Sequence, residues 1–261
     1  MRWKTLALAM SLAIAGALPR PAAAIDLALV LLNDVSESMN AEEYALVKNG
    51  YRRAFADPDV IAALIGGNGN GVAVTYVEFS GKDEIRTVLD WRVLTDSASA
   101  RTFGEDIAAA QRSSNGSTAL AAALAEASRL LQDGDFGTAR RVIDIASDHP
   151  NDNGRAASVR DAAVAAGLTI NALAVADHHP IGTIDGRLSY SEQTRAALNG
   201  VNFYLRDVVG GPGSFAVEAR SYDVFGEALK RKLLLEFIAT PEGEMRPNVL
   251  HVATATTLRS E

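Results

Sequence analysis

Residues 25–32 form an apolar run interrupted only by Asp26, and the run stops at Asn33 and Asp34. This is the pattern of a strand buried on both faces, which needs a layer of helices on each side of its sheet. A loop rich in hydroxyls and acid follows, and residues 41–55 then place Tyr44, Val47, Tyr51 and Phe55 at helical spacing. Beyond the glycine and asparagine connection at 66–71, residues 72–79 read as a second strand, rich in β-branched and aromatic side chains. Residues 84–91 alternate polar and apolar, as an edge strand with one wetted face does.

The pattern continues with a helix at 97–112, a loop at 113–117 and an alanine-rich helix at 118–131. A strand at 141–146 stops at Ser147 and Asp148, and a helix at 156–166, a strand at 168–175 and a helix at 189–198 follow. A last short strand at 201–206 and a closing amphipathic helix at 222–238 complete the expected order. Strands alternating with helices at this spacing predict an α/β fold, a mostly parallel sheet covered on both faces.

The N-terminus is of another kind. Arg2 and Lys4 precede a mostly apolar stretch at 5–18, and Ala22, Ala23 and Ala24 offer the small residues a signal peptidase accepts. Residues 1–24 are expected to be a signal peptide, 25–238 a single domain and 239–261 a C-terminal tail. The mature chain is then exported, to the periplasm or beyond it, and no further stretch reaches the roughly 18 apolar residues a membrane span needs. Cleavage removes Arg2, Lys4 and Arg20 but no acid, taking the formal charge from -7 to -10. An acidic surface repels phosphate backbones, and no basic cluster is longer than Lys230-Arg231-Lys232, so nucleic acid is not the expected partner. With no cysteine in the chain, disulfides, thiolate ligands, thiol catalysis and lipid attachment are all excluded.

In open sheets of this class, ligands bind beyond the carboxyl ends of the strands, which directs attention to the polar residues that end them. Asp34, Ser36 and Ser38 stand at i, i+2 and i+4 where the chain leaves its first strand, so one carboxylate and two hydroxyls can point the same way. Asp148 ends a later strand, and Thr118 follows a glycine loop. These five side chains offer only oxygen, which suits a hard cation such as Mg²⁺ or Mn²⁺ better than zinc or copper. Two of the five are acids, enough to neutralise a divalent ion while an octahedral shell keeps a position for water or an outside carboxylate.

The spacing Asp34-x-Ser36-x-Ser38 with a later Thr118 and Asp148 resembles the metal-ion-dependent adhesion site, or MIDAS, of von Willebrand factor A domains. The strings at 33–39, 43–51 and 204–213 are similar to a bacterial branch of that superfamily whose role is uncharacterised, and the likeness spans 25–238. The resemblance implies a doubly wound, Rossmann-like sheet with one antiparallel edge strand, a Mg²⁺ site at its top and recognition of a protein that presents an Asp or Glu. It also makes the helix at 222–238 a candidate switch element. One departure is His149, which stands where glycine is common, either narrowing the open face or simply facing solvent.

Simpler readings compete at each position. Ser36 or Ser38 could cap the next helix, Thr118 could be an N-cap and Asp148 a turn residue. His178-His179 beside Asp177 resembles a metal pair, but adjacent residues of an extended segment point to opposite faces. Glu42, Glu43, Asp133 and Asp135 read as solvated helix ends and loops, and Asp144 as a hydrogen-bonded internal carboxylate. The chain carries no nucleophile elbow, zinc-protease pair or phosphate loop. An aspartyl phosphotransferase at Asp34 would need an acid where Ser36 stands. A non-enzymatic, metal-dependent binding module is the expectation; the alternatives are a structural metal and a Mg²⁺-dependent hydrolase using Asp34.

Overall fold

The computed structural model describes residues 25–67, 69–148, 155–176, 182–184, 187–189, 200–238 and 249–251. The expected signal peptide at 1–24, His149 and the Asp177-His178-His179 cluster lie outside them, as does most of the expected helix at 189–198.

Seven strands form one sheet in the order β3-β2-β1-β4-β5-β8-β9. These are β1 (Leu27–Asp34), β2 (Val72–Phe79), β3 (Ile85–Leu94), β4 (Arg140–Ser147), β5 (Thr169–Val175), β8 (Ala216–Ala219) and β9 (Val249–His251). All neighbours are parallel except β3, which runs antiparallel to β2. This is the doubly wound sheet with one antiparallel edge strand that the resemblance implies, and its edge is the strand expected at 84–91. A separate antiparallel pair, β6 (Gly182–Ile184) and β7 (Arg187–Ser189), stands outside it.

Alternation along β1 explains the two layers of core. Leu27, Leu29 and Leu31 point into a cluster with α1 (Ala41–Ala56), α2 (Pro58–Ile65), α3 (Ser97–Ala109) and the last helix, α7 (Phe225–Ile238). Ala28, Val30 and Leu32 point into the opposite cluster, with α4 (Leu120–Asp133), α5 (Ala156–Ala165) and α6, which spans residues 200–208. Every residue of β1, β2 and β5 is buried, whereas β3 is mostly half-buried or exposed. Where α1 crosses α7, Gly50 leaves room that a side chain would fill, since a Cβ there would stand 2.7 Å from Phe225 Cδ1.

Several expectations change. Residues 201–206 are not a strand: they lie in α6, whose last turns, Tyr204–Val208, widen so that Val209 N–H reaches the Tyr204 carbonyl at 2.7 Å. Val201, Tyr204 and Val208 recur at helical spacing on its buried side, and the place beside β5 belongs to β8, which the sequence reading did not find. Helix α2 was also missed, though Asp57 caps it and Pro58 opens it. From the tail set apart at 239–261, three residues pair with β8 as β9. Among the described residues, no helix is long and apolar enough to cross a membrane.

Candidate metal centre

The strand order reverses between β1 and β4, which are parallel neighbours with Asn33 opposite Ala146. The carboxyl ends of these two strands therefore lie side by side and deliver Asp34 and Ser147, with Asp148 next, to one crevice.

A third segment, between α3 and α4, is pinned over that crevice. Glu37 N–H donates to the Gly116 carbonyl at 2.9 Å. The Arg112 guanidinium donates to the carbonyls of Val35 (2.8 and 3.2 Å) and Ser36 (2.7 Å). From below, the fully buried Glu78 accepts from Ser113 N–H at 2.9 Å, from Tyr44 at 2.9 Å and from Tyr76 at 3.2 Å, with Lys48 at 3.5 Å. Neither Arg112 nor Glu78 was singled out from the sequence, because their roles rest on contacts with residues far along the chain.

The five predicted side chains meet. Thr118 Oγ1 donates to Ser36 Oγ at 3.0 Å, Ser36 Oγ lies 3.1 Å from Ser38 Oγ, and Ser38 Oγ donates to Asp148 Oδ1 at 3.3 Å. Asp34 accepts from Ser36 N–H at 2.9 Å and from Ser147 Oγ at 2.6 Å. The capping alternatives fall away: Asn40 caps α1, completing a capping box with Glu43, and α4 begins at Leu120 with no side-chain cap. Glu43, expected as a solvated helix end, is buried. Asp144, expected as an internal carboxylate and not a ligand, is fully buried in β4 well below the site and ion-paired with the buried Lys232 at 2.7 Å.

Burial, and then the nearby charge of Asp148, push the Asp34 carboxyl up to about 6, against the opposing hydrogen bonds of Ser147 and Ser36. Two acids of like charge are thus brought together, with hydroxyls filling the remaining space. Among the described residues no group of three or more His, Cys, Asp or Glu side chains could hold a metal. The groups gathered here, from Thr118 through Ser36 and Ser38 to Asp148, present hydroxyl and carboxylate oxygens, a set that fits a hard divalent cation. Asp34, Ser36 and Asp148 are buried while Ser38 is exposed and Thr118 half-buried, so the cluster reaches the surface on the hydroxyl side.

Two tyrosines from the C-terminal half also converge here. Tyr204 is hydrogen-bonded to Ser147, the donor to Asp34, and Tyr222 lies beside Asp148. Burial first, and then nearby carboxylates, push both hydroxyls well above the usual tyrosine range. Nothing in the local sequence marks them.

A family model described as "Protein of unknown function (DUF1194)" matches residues 24–241. The chain belongs to this family. No curated protein matches it in sequence. Its fold is shared with solved structures of low identity. BatB from Bacteroides thetaiotaomicron is 19% identical, with a TM-score of 0.52, 81% of this chain covered and 98% of that one. Proximal thread matrix protein 1 of the mussel byssus, in a form with a zinc-occupied MIDAS motif, is 16% identical, with a TM-score of 0.53 and coverage of 82% and 48%. The pilus adhesin SpaC of Lactobacillus rhamnosus GG is 14% identical, with a TM-score of 0.56 and coverage of 82% and 30%. This member of the DUF1194 family thus has the von Willebrand factor A-like architecture, spanning nearly all of BatB but about half of the mussel protein and a third of the adhesin.

Proposed function

We propose that this chain is an exported, metal-dependent protein-binding module that holds Mg²⁺ or Mn²⁺ through Asp34, Ser36, Ser38, Thr118 and Asp148. A partner's Asp or Glu completes the coordination shell. The observation that carries this reading is the continuous contact from Thr118 through Ser36 and Ser38 to Asp148, which runs from buried acid to exposed hydroxyl. The bound cation supplies a directional positive charge on a chain of formal charge -7, and so attracts an acidic ligand that the rest of the surface repels. Two further facts agree with it: a protein of this fold is described with an occupied MIDAS motif, and another is described as a pilus adhesin.

No catalytic step is assigned to the site. Asp34 is held by Ser36 and Ser147 at the base of the crevice, with no second acid two residues on. The leader motivates export, to the periplasm or outside the cell. Burial of both acids favours a second reading in which the cation only stabilises the top of the fold. The two are separated by capturing partners from a periplasmic or secreted fraction with Mg²⁺, with Mn²⁺, with Zn²⁺ and with EDTA. Binding that needs Mg²⁺ or Mn²⁺ and is lost in Asp34→Ala supports the module. Binding indifferent to EDTA, or phosphoester or ester turnover that Asp34→Ala abolishes, would overturn it.

A further inference from the structure

Tyr222 opens the short turn Tyr222–Val224 ahead of α7, and its ring is part of the core on the α1 side. It is 4% exposed, and its hydroxyl has no hydrogen-bond partner among the described residues. Buried hydroxyls are nearly always satisfied, so an orphan one calls for a physical reason. Here the hydroxyl stands beside the Asp148 carboxylate without reaching the geometry of a settled hydrogen bond, and it faces Asp34 and Glu43 as well. A carboxylate only accepts, so in any hydrogen bond between the two the phenol O–H is the donor.

The other acid of the site shows what such a donor is for. Asp34 is oriented by Ser147 Oγ at 2.6 Å, and Ser147 in turn is hydrogen-bonded to Tyr204. Carboxylates that ligate metals are themselves held by hydrogen bonds from a surrounding shell. Tyr222 stands toward Asp148 as Ser147 and Tyr204 stand toward Asp34.

We infer that Tyr222 is a positioning residue of the metal centre, whose hydroxyl donates to Asp148 when a divalent cation is held and fixes the orientation of that carboxylate. This role rests on the metal-binding reading above. Because the hydroxyl is buried, it acts on Asp148 from inside and does not touch a partner.

The test uses the full chain and its Tyr222→Phe variant, with Mn²⁺ as the probe, and Asp34→Ala as the control for heat arising from this site. Calorimetric titration should show Mn²⁺ bound about tenfold or more weakly by Tyr222→Phe. The electron paramagnetic resonance signal of the bound ion should change. The melting temperature in EDTA should be unchanged or raised, since the deleted hydroxyl had no partner to lose. Equal Mn²⁺ affinity and an unchanged signal overturn the assignment. So does a lowered melting temperature in EDTA with an undiminished gain on adding Mn²⁺, which is the behaviour of a purely structural tyrosine. If the wild-type chain takes up no Mn²⁺, the metal-binding reading itself falls, and the role of Tyr222 with it.

Discussion

The Thr118 hydroxyl donates to Ser36 Oγ at 3.0 Å although 82 positions separate the two residues. The contact depends on the clamp between two loops, in which Arg112 holds the Val35 and Ser36 carbonyls and Gly116 accepts from Glu37. The hydroxyls are thus brought together by the fold, and a cation would meet donors that need little further ordering.

Thr118 is half-buried and caps no helix, so its removal should spare the fold and strike the site. Thr118→Ala is expected to melt in EDTA within about 1 kcal/mol of wild type. Its Mn²⁺ affinity should fall about tenfold or more, and partner capture should be lost. A variant that captures the partner as well as wild type would show that Thr118 is not part of the site.

Acid should oppose metal uptake. The Asp34 carboxyl is pushed up to about 6 from an ordinary value of 3.8 by burial and by Asp148, so its proton competes with a cation below pH 6. Because the folded-state value is raised, the metal-free fold is favoured by protonation: this contribution is fully present below the unfolded value and is lost as pH rises through about 6. The gain in melting temperature on adding Mn²⁺ should therefore shrink between pH 7 and pH 5, while Asp34 itself favours the EDTA form at the lower pH. An increment that stays constant across this range would contradict a cation held by Asp34.

Lys232 is buried on α7 between Asp144 at 2.7 Å and Glu236 at 3.2 Å, and Asn171 donates to the same Glu236 at 2.7 Å. Removing the cation strands two carboxylates in the core. Lys232→Met should cost about 3–5 kcal/mol in urea denaturation at pH 7. The Asp144 carboxyl is already raised to about 6, by burial above all, so part of the loss should be recovered at pH 5 as it takes a proton. A loss that does not depend on pH would point to packing alone.

Gly50→Ala sets two effects against each other. Alanine favours a helix interior by about 1 kcal/mol, but the new Cβ would meet Phe225 Cδ1 at 2.7 Å. Phe225 is 1% exposed and has no free side toward which to turn, so overpacking costing about 1–3 kcal/mol should decide the sign. Net destabilisation in a thermal melt, with Mn²⁺ affinity unchanged, is the expected result.

The basic run Lys230-Arg231-Lys232 illustrates how a sequence reading and a structure divide the work. As a string it is too short to suggest nucleic acid; in the fold Lys230 pairs with Asp57 and Asp59 at 2.8 and 3.0 Å, and Lys232 is a core residue. Similarly, the β-branched and aromatic residues of 201–206 favour a strand on composition, while the pairing of β8 with β5 leaves them a helix.

By itself the sequence determined the layered α/β class, because unbroken apolar runs ending in polar residues have no other way to be buried. It also named the five oxygen-bearing side chains, because acids and hydroxyls just past strand ends, and Thr118 just past a glycine loop, leave a local pattern. Only the tertiary structure decided that these groups touch, that Arg112 and Glu78 brace the loops carrying them, and that Tyr204 and Tyr222 come near the two acids. The physical reason is that a strand or helix announces itself through neighbours a few positions away, whereas a supporting hydrogen bond joins residues that are neighbours only once the chain has folded.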